Sequence, residues 1–187
     1  MKKTVKKWPR WLQADLQRMV SVDVETSGPN PANYDLLSIG ACTITEPGRT
    51  FYVELQPVTG NTTQEAQQVH QLDIARLSVE GTAPDVAMAM FADWLIANIG
   101  GETTPLFVGF NAPFDWMFVC DYFQRYHGRN PFGHSALDIK SFYMAYAKVP
   151  WSGTSMDKLS AIELQHNALQ DACDQAKLFE KIISDEI

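Results

Sequence analysis

Residues Val20-Ser21-Val22-Asp23-Val24-Glu25 alternate valine with a polar or acidic side chain, and a period of two marks a strand whose two faces differ. The valines must meet an apolar layer. The opposite face carries two acids at i and i+2, which repel each other on one strand face. Taken alone, such a pair is ordinary solvated surface. The all-valine back and the place at the head of an α/β chain put this strand inside a sheet, where its acids are poorly hydrated. A cation between them removes both costs. Oxygen donors without paired Cys or His favour Mg²⁺ or Mn²⁺ over Zn²⁺.

The remaining periodicities build a sheet around this strand. Pro9 opens a short helix holding Leu12 and Leu16. Segments 36–45 and 50–55 read as strands joined at Glu46-Pro47-Gly48-Arg49, an antiparallel meander with the first strand. From Pro84 to Ile99, Val86, Ala87, Met90, Phe91, Trp94 and Leu95 recur at helical spacing, and Gly100-Gly101 ends the pattern. Leu106 to Phe110 is apolar without alternation, as a central strand should be. Pro113 to Tyr126 is a second helix, 136–139 a fifth strand, and 140–147 and 154–164 are helical stretches. A final helix from about 168 carries Ala168, Ala172, Ala176, Phe179 and Ile183 on one stripe, with Asp171 beside it. The order βββαβαβα predicts an α/β domain with a mixed five-stranded sheet, its first three strands antiparallel and two added in parallel.

Two further acids and a histidine fall where such a sheet builds sites. Asp115 follows the strand–turn Phe110-Asn111-Ala112-Pro113-Phe114, at the carboxyl end of a central strand. A carboxylate in a first helical turn is also favourable without any function. Asp171 stands near a helix start, and Asp174 three residues on is the alternative. Acids converging from distant segments are the pattern of two-metal phosphodiester chemistry. Next to them His166 is a candidate general base, because imidazole ordinarily titrates at roughly pH 6.5. Thr26 and Asn111 are candidate substrate-orienting groups. Asp138 reads as a helix cap, and His70, His127 and His134 receive no role. Neither a Gly-rich phosphate loop nor a Gly-x-Ser-x-Gly nucleophile turn is present.

Fifteen basic against 22 acidic residues give a net charge of −7, which argues against nucleic-acid binding unless cations occupy the acidic site. Lys2, Lys3, Lys6, Lys7 and Arg10 make residues 1–18 a basic arm or short helix, with 19–187 as a single domain. No apolar run reaches the ~20 residues of a membrane span, so no membrane association is expected. Cys42, Cys120 and Cys173 are separated and lie in apolar runs, which suits reduced thiols and a cytoplasmic protein.

With these segments in view, the chain resembles the DEDDh group of 3′→5′ exonucleases, which includes proofreading exonucleases, RNase T and oligoribonuclease. The resemblance rests on Val-Asp23-Val-Glu25-Thr26, on Gly109-Phe110-Asn111-Ala112-Pro113-Phe114-Asp115, and on His166-Asn167-Ala168-Leu169-Gln170-Asp171-Ala172. Ser38 stands where many relatives carry an acid. The resemblance implies a ribonuclease H-like three-layer α/β/α fold, with Asp23, Glu25, Asp115 and Asp171 holding two Mg²⁺ or Mn²⁺ ions per site and His166 as base. It also implies release of nucleoside 5′-monophosphates from the 3′ ends of single-stranded DNA or RNA. A homodimer or a polymerase is a candidate partner. A catalytically silent scaffold on the same fold is the alternative, and the intact set of five residues argues against it.

Overall fold

The valines of the first strand are fully or nearly fully buried, and the sheet is assembled around them. The computed structural model describes residues 9–45, 48–159 and 165–184. Its strands are β1 (Met19–Thr26), β2 (Leu36–Thr43), β3 (Thr50–Glu54), β4 (Leu106–Gly109) and β5 (Ala136–Asp138). They lie in the order β3-β2-β1-β4-β5, with β1–β2 and β2–β3 antiparallel and β1–β4 and β4–β5 parallel. The meander and the two parallel additions are those expected from the alternation.

The two faces of β1 collect different helices. Val20, Val22 and Val24 pack against Phe91 and Leu95 of α4 (Pro84–Ile99) and Phe118 and Val119 of α5 (Pro113–Tyr122). Met19 on the acidic face packs with Cys42, Leu178, Phe179 and Ile182, the last three from α8 (Ala168–Ile183). Each fully buried valine contributes about 1.5–3 kcal/mol, so burial fixes which face the acids occupy. Leu12 and Leu16, at and within α1 (Gln13–Leu16), are buried in the α8-side core.

Two helices were not anticipated, α2 (Gln64–His70) and α3 (Ile74–Glu80). The expected 113–126 helix ends as α5 at Tyr122 and continues as one wide π turn, Phe123–His127. The two helical stretches after β5 appear as α6 (Ile139–Ala147) and α7 (Met156–Leu159). Residues 160–164 of the second stretch, Glu46 and Pro47 of the expected turn, and the four lysines of the basic arm lie outside the described residues. Asp138 is a helix cap, as expected: its carboxylate accepts from Ser141 N–H of α6 (3.0 Å).

Candidate active site

Parallel pairing between β1 and β4 covers only Met19 to Ser21. Continued in the same register, Val24 would face Asn111, but there the chain turns with a left-handed φ of 64° and starts α5. The two strands therefore part just before Asp23. Into the gap comes Asp115, from the first turn of α5, whose Oδ1 accepts from Val24 N–H (3.1 Å). Asn is among the non-glycine residues that best tolerate this backbone region.

The acidic face receives Asp171 through a close approach of α8. Gly40 of β2 pairs with Asp23, and a β-carbon there would lie 2.1 Å from the Ala168 carbonyl carbon. Only the missing side chain lets the start of α8 touch the sheet. Asn167 caps the helix by accepting from Gln170 N–H (3.1 Å), and Asp171 follows one turn later. As a result, carboxylate oxygens of Asp23, Glu25 and Asp171 lie within 4.8 Å of one another.

All seven residues singled out in the sequence line one cleft of about 530 Å³: Asp23, Glu25, Thr26, Asn111, Asp115, His166 and Asp171. Thr26 is nearly buried and its hydroxyl donates to Gly28 O (3.0 Å). His166 is exposed at the cleft with a left-handed φ of 52°. The peptide before it is tied to the acids, since Gln165 N–H donates to Asp171 Oδ1 (3.0 Å). Asp174, the alternative to Asp171, is engaged by Lys177 (2.7 Å) and Gln170 (2.9 Å) and is not among the cleft residues.

No lysine or arginine lines the cleft among the described residues, so its carboxyls raise one another's affinity for protons. Burial, followed by the charges of Asp115, Glu25 and Asp171, holds Asp23 well above the usual carboxylate range. Burial and then Asp171 push Glu25 up to about 7. Burial pushes Asp115 up to about 8 against the pull of the Val24 N–H bond, and burial also raises Asp171. A divalent cation would reverse this penalty, and three clustered carboxylates are the hard donor set that Mg²⁺ or Mn²⁺ takes.

Comparison with known proteins settles the family. Residues 18–183 match the family described as the 3′–5′ exoribonuclease Rv2179c-like domain. The chain belongs to that family, and it is a 3′–5′ exonuclease. It is similar to the 3′–5′ DNA exonuclease Cap18 of Escherichia coli, at 42% identity over 176 residues, 91% of this chain and 94% of that one. Among solved structures it resembles the nuclease domain of 3′hExo, a DEDDh family member bound to rAMP, with a TM-score of 0.73, 16% identity and 89% and 92% coverage. It also resembles E. coli exonuclease I in complex with a dA16 oligonucleotide, at a TM-score of 0.66 and 15% identity, covering 90% of this chain and 41% of that one. These likenesses carry the ribonuclease H-like fold. No helix among the described residues is long and apolar enough to cross a membrane.

Three features of this cleft are given no role by the sequence pattern. Gln175, almost fully buried in α8, donates through its side-chain amide to the Asp23 carboxylate and accepts from Phe110 N–H (2.9 Å). Gly40 allows the helix contact described above. Thr63, Glu65 and Val69, at the start of and within α2, form one wall of the cleft. The Thr63 cap, which accepts from Ala66 N–H (3.1 Å), is a local sequence signal of that wall.

Proposed function

We propose that this exonuclease hydrolyses single-stranded or frayed 3′ ends with two divalent cations, Mg²⁺ or Mn²⁺, and releases nucleoside 5′-monophosphates. The observation that carries the reading is the convergence of Asp23, Glu25 and Asp171 oxygens within 4.8 Å in the cleft that Asp115 and His166 also line. Asp23, Glu25 and Asp171 would hold one ion, with Asp23 shared and Asp115 contributing to the second. When bound, the ions supply a lowered pKa for the attacking water and charge stabilisation for the departing 3′ oxygen.

The chain's own residues do the rest. His166, standing exposed at the cleft, accepts the proton of the attacking water as the phosphorus–3′ oxygen bond breaks. Asp171 orients that base through the Gln165 peptide. Asn111 and Thr26 line the cleft beside the acids and orient the terminal nucleotide. Gln175 fixes one oxygen of Asp23 and so sets the direction in which the other points.

The strong identity to a DNA exonuclease along nearly the whole of both chains favours DNA, whereas the family description names exoribonuclease activity. Matched 5′-labelled single-stranded DNA and RNA oligonucleotides test both. A ladder of shortened products with Mg²⁺ or Mn²⁺, faster on DNA and abolished by EDTA, is the expected result. No ladder from either polymer would refute the reading.

A further inference from the structure

Lys140, at the second position of α6, holds its ammonium over two rings at once: 5.7 Å from the centre of Phe110 and 4.5 Å from that of Trp151. Phe110 belongs to the wall of the catalytic cleft. Trp151 stands outside it, in a single 3₁₀ turn (Trp151–Gly153), with 51% of its surface in solvent. A second ammonium, that of Lys158, is anchored to the carbonyl of Ser152 beside it. Lys140 is paired with no carboxylate among the described residues.

This arrangement is unusual for a surface of this charge. The chain carries −7 overall and the cleft is lined by carboxyls, yet a cation with no acidic partner among the described residues stands at its rim, over two aromatic rings. A large ring left half in water is not explained by core packing, since burial is what stabilises a tryptophan. The contact with Lys140 keeps the ring in place and leaves half of its surface open. Phe110 lines the cleft, Trp151 does not, and the Lys140 ammonium is held over both rings; a single strand of nucleic acid likewise alternates bases with phosphates.

The cleft volume of about 530 Å³ is in the range of small-ligand pockets, roughly 300–1,000 Å³, so a polymer whose 3′ end lies inside must leave over the rim. We propose that Phe110, Lys140 and Trp151 form a subsite for the nucleotide on the 5′ side of the scissile phosphate, in DNA or RNA alike. Its base stacks on Trp151 and its phosphate lies beside the Lys140 ammonium. The proposal rests on the exonuclease reading above and extends it to the strand that leaves the cleft. The chemistry recognised is a stackable base next to a phosphodiester, which every sequence offers, so the subsite grips without selecting sequence.

The test uses the purified full chain with Mg²⁺ and a labelled single strand of about ten nucleotides, within the usual site sizes of single-strand binders. Trp151→Ala is expected to raise KM about 5- to 100-fold, the loss of one stacked base, while Trp151→Phe retains a ring and stays near wild type. Lys140→Gln is expected to lower the slope of log KM against log salt by about 0.7, the signature of one phosphate contact on a single strand. A KM unchanged in Trp151→Ala, a Trp151→Phe variant as impaired as the alanine, or an unchanged salt slope would each overturn the subsite while leaving wild-type cleavage intact. Failure of the wild-type protein to shorten the strand would instead refute the exonuclease reading, and the subsite with it.

Discussion

Gly40 and Ala168 lie back to back: a β-carbon on Gly40 would approach the Ala168 carbonyl carbon to 2.1 Å and the Leu169 nitrogen to 2.2 Å. Gly40 is also the register partner of Asp23. The contact that seats α8 on the sheet is therefore beside Asp23, on the face that carries the acids, and it sets how near Asp171 comes to Asp23 and Glu25.

Gly40→Ala must push the start of α8 off the sheet, because the atoms it meets are backbone and cannot rotate away. Overpacking of this kind costs about 1–3 kcal/mol, and a displacement of about 1 Å at a reacting centre costs about 10²-fold in rate. Urea unfolding together with oligonucleotide cleavage should show both losses. An active, fully stable alanine variant would show that α8 is not held by this contact.

His166→Ala should lower kcat by about 10² to 10⁴, the usual share of a general base. The side chain is exposed, so the melting temperature should stay within a degree or two. Single-turnover cleavage measures the first and a thermal melt the second. A variant as fast as wild type would remove His166 from the proton transfer.

In EDTA the protein should lose stability as pH rises. Burial holds Glu25 up to about 7 and Asp115 up to about 8, whereas unfolded carboxyls ionise at roughly 4. Between those limits the folded chain binds more protons than the unfolded one. Their contribution is complete below about pH 4 and is lost progressively as pH climbs to about 8. Melting temperature in EDTA should decline from pH 5 to 8, Asp115→Asn should flatten that decline, and added Mn²⁺ should raise the melt most at pH 8. A profile in EDTA that rises over the same span would contradict the burial argument.

Gln175→Ala should weaken Mn²⁺ binding by about 10- to 100-fold, as the loss of a group orienting a ligand usually does. It also leaves Phe110 N–H without its acceptor, at a cost of about 1–3 kcal/mol. Isothermal titration and urea unfolding read these separately. Unchanged Mn²⁺ affinity would make Gln175 a purely structural bridge.

The sheet was legible because β1 announces its two faces residue by residue, and because α4 and α8 repeat their apolar positions for four turns. The acids were legible for the same reason: Asp23 and Glu25 share a face, and Asp171 sits beside the buried stripe of α8. α2 and α3 escaped because each buries one residue, His70 and Leu77 respectively, so neither carries a periodic stripe. What marks them is a single cap, Thr63 or Asp73, each accepting an N–H three residues on. Gln175 could not have been found from local pattern, since the carboxylate it holds is 152 positions away. The left-handed turns at Asn111 and His166 were hidden as well, because neither residue requires that conformation by itself.

The early parting of β1 from β4 has a thermodynamic side. Three rungs join these strands, Met19 to Leu106, Val20 to Phe107 and Ser21 to Val108, and zipping them further would add backbone bonds at the fold's centre. That tighter architecture would seal the very aperture through which Asp115 reaches Val24. A fully zipped sheet and a carboxylate seated at Val24 N–H thus exclude each other.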